Sequence, residues 1–593
     1  AAIERGDLGA AELAPAWERA TLLAWGDAEL TETPALAQFH GASHHAQVSA
    51  FADLDRGAVA LSRARALVRL ADRVPRIAGK LDAASNDPTT IELGILMAEL
   101  KKPRGHKPLR KLFAELPTIL PRLAPCILMT PSTVAQYLDP ALPRFDVVVF
   151  DEAARLPTAA AIGALGRATS AVVVGDVQQL GPADGSANLL EDCIAAKLPV
   201  LSLAWQYRSK HEDVFAFANQ RYYGDKLQLL PAPQASPDLG VAWRRIDGTF
   251  DRDGTEQNRV EAEAVVAEAL ARLRDPIQRM RSLGIIAGSA AQAELIEDLI
   301  DAALLGEPSI ASAGEPLVVK DLTALGVDDR DVILLSVGYG PAPDGLMTMN
   351  LGALSEPSGT RALASALTRA REQIVVFSSF APEDLHDDAA PAVRDLAAFL
   401  AFARAGGGAG RPTDDTQPAD PITAAIARAL AERGWAVRHQ VGCGAYKLDL
   451  AVVDPSDPER YVLAIEHDGP AYATATVARD RDRLRAQVLT QLGWRLHRIW
   501  GLDWWADPDR EIQRAHGAIV TAIAANRQRR APIAPTKPPR SARASGQLVA
   551  ASGSAPVVKI PPRGSNSDPA VIAAGSGPTE ATPLAAYEGN TTP

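Results

Sequence analysis

The sequence predicts an α/β protein built on parallel sheets, with a smaller α/β unit near its carboxyl end and a disordered tail. Two apolar runs, residues 146–150 and 171–174, end abruptly in polar residues, as parallel strands covered on both faces do. Helical stretches such as residues 257–272 alternate with three further strand patterns, at residues 284–286, 331–336 and 373–378. A compact αβββαβ pattern then occupies residues 421–526.

Chain length, net charge and cysteine spacing limit the kinds of protein that this sequence can encode. A chain of 593 residues is long enough for about three or four domains. Its net charge of −11 excludes a broad basic surface, so any contact with nucleic acid must use a local channel. Cys126, Cys193 and Cys443 lie far apart, without metal-ligand or disulfide spacing, which indicates a reducing compartment. No apolar run is long enough to span a membrane and no signal-peptide pattern is present, so we expect a cytoplasmic protein without a membrane partner.

Polar residues follow both of the first two strand patterns. Asp151 and Glu152 end the first, and Asp176 and Gln179 follow the second. Ligand chemistry gathers at the carboxyl ends of parallel strands. There Asp151 can hold Mg²⁺, Glu152 can orient the water that attacks a γ-phosphate, and Gln179 can place an amide beside the same phosphate. An aspartate in this position can instead cap the next helix, but the two segments together favour a nucleotide hydrolase.

The two segments resemble motifs II and III of superfamily 1 helicases. Residues 203–227 resemble the motif IV region, residues 319–336 resemble motif V and residues 359–371 resemble motif VI. The resemblance covers residues 129–379 and implies a RecA-like core that binds ATP and Mg²⁺. In such a core Arg208 reaches the γ-phosphate and Arg369 is the arginine finger. The resemblance also implies four further nucleotide-binding residues, which are Asp176, Asp329, Arg330 and Arg371.

Three departures from the helicase pattern are visible. Gly326 and Val327 replace the usual Gln-Gly of motif V, and Ala362 and Ala364 replace Arg and Asn of motif VI. The phosphate loop G-x-x-x-x-G-K-[ST] is missing, because the single Gly-Lys pair, Gly79-Lys80, has no upstream glycine in register. Either the loop was lost or this is the carboxyl-terminal part of a longer helicase, and we expect the second.

The amino-terminal region reads as helices. Residues 58–74 carry apolar side chains at helical spacing and predict a helix packed against a core. A basic run at residues 100–113 is either a solvated face or a phosphate-tracking surface, with Lys101, Lys102, Lys107 and Lys111 as its lysines. Residues 126–138 predict a strand and then a helix capped by residues 130–133. The helicase resemblance places Ser132 and Thr133 against single-stranded nucleic acid.

The αβββαβ unit concentrates acidic residues on its strands. Asp449 points away from the apolar side of its strand, and the alternation of the next strand places Glu466 and Asp468 on one face. Carboxylates this close repel each other unless a cation lies between them. This order resembles the PD-(D/E)xK restriction-endonuclease fold of the very-short-patch repair type, which implies Mg²⁺ on Asp449 and Glu466.

Two departures separate this unit from an ordinary nuclease of that fold. Asp468 stands where the catalytic lysine is usual, and residues 422–427 lack the acid of the first helix. Lys447, Arg479 and Arg481 are the candidates for the missing positive charge. The alternative is an inactive remnant that only binds DNA.

The expected domains follow from these patterns. They are a mainly helical region (1–124), the end of an incomplete first RecA-like domain (125–200), a second RecA-like domain (201–405), a flexible linker (406–420), the restriction-endonuclease-like unit (421–526) and a disordered tail (527–593). We expect an ATP-dependent DNA helicase with a fused nuclease, acting in DNA repair or in defence against foreign DNA. A degenerate nucleic-acid-binding clamp and an RNA-directed helicase remain open.

Overall fold

The computed structural model describes most of the chain. The described residues are 9–73, 88–234, 236, 238–307, 315–326, 328–386, 388–408 and 418–530. Gly79, Lys80 and Val327 lie outside them, as do most of the predicted linker and residues 531–593 of the predicted tail. The chain up to Ala531 forms one compact unit. No helix in the described ranges combines the length and the apolar character that crossing a bilayer requires.

The described part of the amino-terminal region is helical, as the sequence predicts. Its helices are α1 (Ala10–Glu32), α2 (Pro34–Ala37), α3 (Gly41–Arg73), α4 (Pro88–Leu100), α5 (Leu109–Glu115) and α6 (Leu120–Leu123), and α7 (Pro131–Tyr137) follows the region. Within α3 only Gly41 and Asp55 are buried, whereas Leu61 and Leu67 are 69% and 59% exposed. The prediction that residues 58–74 pack against a core is therefore wrong for the described part of that segment. Apolar spacing gives a helix an apolar face, but burial also requires a surface that covers it.

The first sheet in the chain has two parallel strands. Its elements are β1 (Phe145–Phe150), α8 (Thr158–Leu165), β2 (Ala168–Val173) and α9 (Leu189–Ala195). Phe150 packs with Ala161 and Leu189, but Val147 and Val149, on the other face of β1, are 50% and 61% exposed. The prediction that these strands are covered on both faces is therefore wrong within the described residues.

The strand expected at residues 126–130 is absent. These residues lead into α7 without pairing to a neighbour, and Leu128 is 94% exposed. An extended segment becomes a strand only when another strand accepts its backbone hydrogen bonds, and neither β1 nor β2 does so here. The predicted helix is present and begins after Thr130, whose hydroxyl accepts the backbone N–H of Thr133.

The second sheet has five parallel strands, in the order β5-β9-β8-β6-β7. Two short strands, β3 (Trp205–Gln206) and β4 (Gln228–Leu229), precede it. The remaining elements are α10 (Asp213–Tyr222), β5 (Gly240–Arg245), α11 (Arg259–Arg274), β6 (Leu283–Ala287), α12 (Ala290–Gly306), β7 (Val318–Asp321), β8 (Arg330–Ser336), α13 (Gly359–Leu367), β9 (Ala370–Ser378) and α14 (Pro391–Arg404). Apolar clusters cover both faces, one around Ile333 and Val376 and the other around Leu334 and Phe377. The predicted parallel α/β architecture is confirmed.

The third sheet is small and mixed, and its αβββαβ order is also confirmed. The elements are α15 (Pro421–Glu432), β10 (Val437–Val441), β11 (Leu448–Asp454), β12 (Asp457–His467), α16 (Pro470–Ala473), a π-helical segment (Arg479–Leu484), α17 (Arg485–Leu492), β13 (Leu496–Ile499), α18 (Gly501–Ala506) and α19 (Pro508–Arg530). Strands β10, β11 and β12 are antiparallel, and β13 joins β12 in parallel.

Helix α19 continues past the predicted start of the tail. Residues 527–530 are helical, so the prediction of disorder from residue 527 is wrong at these four positions. The sequence Arg527-Gln528-Arg529-Arg530 consists of good helix formers, and the first proline follows at Pro532.

The five-stranded and mixed-sheet domains share buried contacts. Leu230, which follows β4, packs in the same apolar cluster as Val441 and Leu448 of the mixed-sheet domain. The Trp494 indole donates to the Pro231 carbonyl at 2.7 Å, and the Tyr461 amide donates to the Pro233 carbonyl at 2.8 Å. The segment after β4 therefore belongs structurally to both domains.

Candidate nucleotide and nuclease sites

The acidic pair follows β1 directly. Asp151 accepts the backbone N–H of Glu152 at 3.0 Å, and both side chains are exposed. Glu152 has a φ of 54°, a left-handed conformation that non-glycine residues seldom adopt. Such backbone strain is often found at functional positions, which is consistent with the predicted role of the pair.

The residues after β2 connect to the five-stranded domain. Gln179 accepts a hydrogen bond from Arg369 Nη2 at 2.8 Å and donates to Thr368 Oγ1 at 3.1 Å. The Tyr223 hydroxyl donates to Asp176 at 2.6 Å. Burial raises the pKa of Tyr223, and the Asp176 carboxylate raises it further, so Tyr223 stays a donor. The amide predicted to contact phosphate and the predicted arginine finger are therefore direct neighbours.

Two arginines of the five-stranded domain lie near this junction. Arg369 follows α13 and is 9% exposed, whereas Arg208 is more exposed and forms an ion pair with Asp329. Burial lowers the pKa of Arg369, the like charge of Arg208 lowers it further, and the Glu152 carboxylate opposes both. A buried guanidinium with a cationic neighbour is stabilised by an added anion. The Asp329 carboxylate lies between these two guanidinium groups, 4.0 Å from Arg369 Nη1, and a ligand anion bound here would compete with it.

Two other predicted nucleotide-binding arginines contact acidic side chains instead. Arg371 lies 3.4 Å from Asp331 and 3.7 Å from Glu315, and it donates to the Asp329 carbonyl at 3.1 Å. Arg330 donates to the same carbonyl at 2.9 Å. The structure brings Glu152, Gln179, Arg208, Asp329 and Arg369 together. Arg330 and Arg371 both contact the Asp329 carbonyl and the Glu315 side chain.

The predicted nucleic-acid contacts are partly engaged within the chain. Lys102 pairs with Glu99 at 2.6 Å, and Lys107 and Lys111 pair with Glu115. Lys101 is exposed. Ser132 and Thr133 lie in the first turn of α7, and their hydroxyls are 3.0 and 3.1 Å from Thr130 Oγ1. Lys101 and Lys111 are thus the two exposed lysines of the run, and Lys111 lies 3.9 Å from its acidic partner.

The acidic residues of the mixed-sheet domain line a cavity of about 430 Å³. Asp449 of β11 and Glu466 of β12 face it, and Asp449 accepts the backbone N–H of His467 at 3.0 Å. Burial raises the pKa of Asp449, and the carboxylates of Glu466 and Asp420 raise it further. The prediction that Asp449 and Glu466 lie on neighbouring strands agrees with this arrangement.

Two residues that the sequence analysis did not single out also line the cavity. Asp420 caps α15 and lies 2.7 Å from His467 Nε2. His467 is buried, and its Nδ1 has no hydrogen-bond partner. Asp420 directly precedes α15, the helix in which the expected acid is missing, and its side chain lines the cavity. Its position before a proline at a helix start was the available signal, but a capping role alone explains that pattern.

Asp468 does not join Asp449 and Glu466. Its Oδ1 accepts the backbone N–H of Gly501 at 2.6 Å, at the start of α18 and outside the cavity. The expectation of three carboxylates on one face is wrong because β12 ends at His467, so its alternation does not extend to Asp468.

The three residues predicted to supply the missing positive charge lie in different places, and only Lys447 lines the cavity. Arg479 forms an ion pair with Asp55 of α3, and Arg481 pairs with Asp482 at 2.8 Å. Lys447 lines the cavity. Arg498 of β13, which the sequence analysis did not consider, lies there too and donates to Glu466 Oε2 at 3.0 Å.

The donor chemistry of the cavity fits Mg²⁺ in kind, because carboxylate oxygens are the ligands this ion prefers. The arrangement of the donors is not that of a ligand set. Within the described ranges, no group of three His, Cys, Asp or Glu side chains is placed to hold a metal ion. Both oxygens of Glu466 already accept hydrogen bonds, one from Tyr446 and one from Arg498.

Two family models match the chain. The AAA domain model AAA_12 matches residues 186–380, and the model REase_MTES_1575 matches residues 423–519. The first segment contains Arg208 and Arg369, and the second contains Asp449 and Glu466. The chain thus joins a segment similar to an AAA domain to a segment similar to a REase domain.

Curated relatives match about half of the chain. An uncharacterized ATP-dependent helicase of Mycoplasma genitalium is 30% identical over 296 residues, which cover 45% of this chain and 26% of the relative. Its homologue in Mycoplasma pneumoniae is 29% identical over 291 residues, covering 44% and 25%. The chain therefore spans about a quarter of the length of these relatives.

Solved helicase structures share low similarity with the chain. The carboxyl-terminal domain of a possible DNA helicase from Lactobacillus plantarum is 13% identical, covers 32% of this chain and 94% of that domain, and has a TM-score of 0.18. Arterivirus nonstructural protein 10, a helicase solved with DNA, is 13% identical, covers 40% and 41%, and has a TM-score of 0.19. Similarity at this level carries no conclusion about this chain.

Proposed function

We propose that this chain, which joins a superfamily 1-type helicase domain to a restriction-endonuclease-like domain, belongs to an ATP-dependent DNA helicase that also carries a metal-dependent nuclease. The observation that carries the proposal is the hydrogen bond between Gln179 and Arg369. It joins the segment that follows β2 to Arg369 of the five-stranded domain, and the backbone bond from Ala153 to Val174 places the residues after β1 beside that segment. In a motor of this type, ATP binds where two such surfaces meet.

Each residue at this junction has a proposed role. Asp151 holds Mg²⁺, Glu152 orients the attacking water and Gln179 contacts the γ-phosphate. Arg208 and Arg369 stabilise the charge that develops during phosphoryl transfer. The buried position of Arg369 beside a second arginine supports this role, since an incoming phosphate relieves their repulsion. ATP hydrolysis that depends on both Glu152 and Arg369 is the activity that tests the proposal.

The proposed substrate of the motor is DNA with a single-stranded part. Lys101, Lys102, Lys107, Lys111 and the first turn of α7 with Ser132 and Thr133 are its proposed contacts. The attached restriction-endonuclease-like domain supports DNA over RNA, and the two proposed roles are DNA repair and defence against foreign DNA. Competition between matched DNA and RNA strands in a binding assay distinguishes the two substrates.

The proposed nuclease uses the cavity of the mixed-sheet domain. Asp449 and Glu466 are the residues that would hold a divalent ion, and such an ion supplies an activated water for attack on a phosphodiester. Burial and the surrounding carboxylates raise the pKa of Asp449, which is the electrostatic strain that a bound cation relieves. Metal-dependent nicking of supercoiled DNA by the 593-residue chain tests this part of the proposal.

One observation favours a second candidate function, a clamp that binds DNA without cutting it. Glu466 is already neutralised by Arg498, so the cavity has no ready set of metal ligands. A clamp binds DNA equally well with and without Asp449 and cuts nothing in Mn²⁺. The nuclease loses its cutting when Asp449 is changed.

A further inference from the structure

Glu466, a proposed metal ligand, is held by two neighbours. The Tyr446 hydroxyl donates to Oε1, and Arg498 donates to Oε2 at 3.0 Å. The side chains of Glu466 and Arg498 are only 9% and 16% exposed, so water screens this ion pair little. A carboxylate paired in this way has a cation in place before any metal ion arrives.

The position of Arg498 follows from strand register. Arg498 lies directly beside Glu466 where β13 pairs in parallel with β12. Neighbouring residues in register point to the same face of a sheet, so the two side chains meet without any loop having to position them. The contact is therefore part of the sheet itself.

Aromatic rings and a second acid hold the Arg498 guanidinium. It lies 4.8 Å from the centre of the Tyr472 ring and 5.4 Å from the Trp500 ring, and 3.6 Å from Asp482. Burial disfavours the charge, but the acidic neighbours outweigh it and the pKa of Arg498 is raised. Stacking and ion pairing together favour the position beside Glu466.

The amino-terminal helices cover the outer side of Trp500. The rings of Phe39 and His44 meet it edge-on, with ring centres 5.9 and 4.7 Å from its own. The Gly41 amide donates to Asp503 at 3.1 Å, and a Cβ at Gly41 would lie 2.3 Å from Trp500 Cδ1. Only glycine permits this approach. The turn between α2 and α3 thus packs against the residue on which Arg498 stacks.

We propose that Arg498 is a latch that keeps the nuclease cavity free of metal by neutralising Glu466, and that the α2–α3 turn keeps this latch closed through Trp500. Arg498 and a divalent cation compete for the same carboxylate, and their like charges exclude each other from it. The ion binds well only when Arg498 moves off Glu466. This inference rests on the proposed nuclease function, because it assigns a regulatory role within that site.

The test is a calorimetric titration of the 593-residue chain with Mn²⁺ alone. We expect Arg498→Gln to bind Mn²⁺ about tenfold more tightly than the unchanged chain. Arg481→Gln is the matched control, since Arg481 lies 4.4 Å from the same Tyr472 ring and carries the same charge. Both arginines lie near Asp482, but Arg498 pairs with Glu466, whereas the carboxylate partner of Arg481 is Asp482. The Mn²⁺ affinity of Arg481→Gln should change less than about threefold. Adding Glu466→Gln to Arg498→Gln should remove the gain, which locates the ion in the cavity.

An equal Mn²⁺ affinity of Arg498→Gln and Arg481→Gln would overturn the latch. If Arg498→Gln does not fold, the double change Phe39→Ala and His44→Ala opens the latch from outside the cavity. It should also tighten Mn²⁺ binding, and an unchanged affinity there is equally decisive against the proposal.

The outcomes separate the latch from the nuclease. Tighter Mn²⁺ binding without any DNA cutting supports the latch and contradicts the nuclease. Tight binding and cutting by the unchanged chain, with no gain in Arg498→Gln, supports the nuclease and contradicts the latch.

Discussion

Glu261 shows how one residue can join several elements. It lies in the first turn of α11, is fully buried, and accepts hydrogen bonds from Ser336 at 2.8 Å, the Gly338 amide at 2.7 Å and Ser379 at 3.0 Å. It therefore ties α11 to the ends of β8 and β9. Burial raises its pKa to about 7 even though these donors favour the charged form.

The first prediction concerns this carboxyl group. Because its pKa is raised in the folded state, the folded chain holds a proton that the unfolded chain releases, and stability falls as pH rises from 4.5 to about 7. In the Glu261→Gln variant this loss, of about 3 kcal/mol, should be absent. Urea unfolding at pH 5 and pH 8 measures it. Glu383→Gln, at an exposed ion pair with Arg404, is the control and should keep the pH dependence of the unchanged chain.

The second prediction separates two neighbouring aspartates of the nuclease-like domain. In the Arg498→Gln background, where Glu466 has lost its ion pair, Asp449→Asn should abolish Mn²⁺-dependent nicking and the rise in melting temperature with Mn²⁺, because a ligand that binds only the folded state stabilises it. Asp468→Asn should keep both, since Asp468 caps Gly501 outside the cavity, and it should cost less than about 1 kcal/mol. Loss of metal binding in Asp468→Asn would contradict the placement of that side chain.

Individual site residues were predicted unevenly, for physical reasons. The orientation of Asp449 could be predicted from the sequence, because alternation within a strand determines which way each side chain points. Asp468 was misplaced because that alternation stops where β12 stops, and the stop depends on pairing with β13. Arg498 and Asp420 contact Glu466 and His467 through tertiary contacts, which no local pattern reports.

At the scale of elements, α3 is the clearest case of a helix anchored by charge. Asp55, 8% exposed, forms ion pairs with both Arg479 and Arg483 of the π-helical segment. The sequence predicted the helix from its apolar spacing, but the anchor is an acidic residue that contacts another domain. Apolar spacing identifies a helix more reliably than it identifies the partner of that helix.

The third prediction tests this anchor. Asp55→Asn leaves the partly buried Arg483 and the more exposed Arg479 without their shared counter-charge. The loss at Arg483 should destabilise the docked helix by about 3 kcal/mol. Asp53→Asn, two residues away in an exposed pair with Arg56, should cost almost nothing. Thermal unfolding compares the two. Equal melting temperatures for the two variants would show that Asp55 contributes nothing to docking.

The fourth prediction concerns the basic run at residues 100–113, which spans the end of α4 and most of α5. Charge reversal at Lys101, Lys102, Lys107 and Lys111 should weaken binding to single-stranded DNA and flatten its salt dependence, because each phosphate contact releases a counterion. Lys101→Glu alone should reduce the salt slope by about 1. Lys107→Glu should change it less, since Glu115 already neutralises Lys107. Fluorescence anisotropy across a salt series measures the slopes, and an unchanged slope in the fourfold variant would make the run a solvated face.

At the scale of the whole molecule, the domains share more buried contacts than the sequence indicates. The sequence predicted both α/β architectures because buried parallel strands and αβββαβ order leave local patterns. It did not predict that Leu230, from the segment after β4, completes the core of the mixed-sheet domain. It also predicted full cover for β1 and β2, although Val149 is 61% exposed. A pattern shows that a strand suits burial, and the packing of the chain decides whether it is buried.

The central claim is that one ATP site is formed by the residues that follow β1 and β2 together with Arg208 and Arg369 of the five-stranded domain. It is tested most directly by phosphate release from ATP, with and without single-stranded DNA, in a polypeptide in which a phosphate loop precedes this chain. Arg369→Ala and Glu152→Gln should each lower the DNA-stimulated rate about 1,000-fold.

Arg361→Ala is the matched control for this measurement. Arg361 lies on α13, the helix just before Arg369, and pairs with Glu191 of α9. Its loss therefore removes another contact between the β1–β2 segment and the five-stranded domain but leaves the Gln179–Arg369 hydrogen bond in place. Its rate should stay within about threefold of the unchanged protein. Hydrolysis that persists in Arg369→Ala and Glu152→Gln at the rate of Arg361→Ala would contradict the claim.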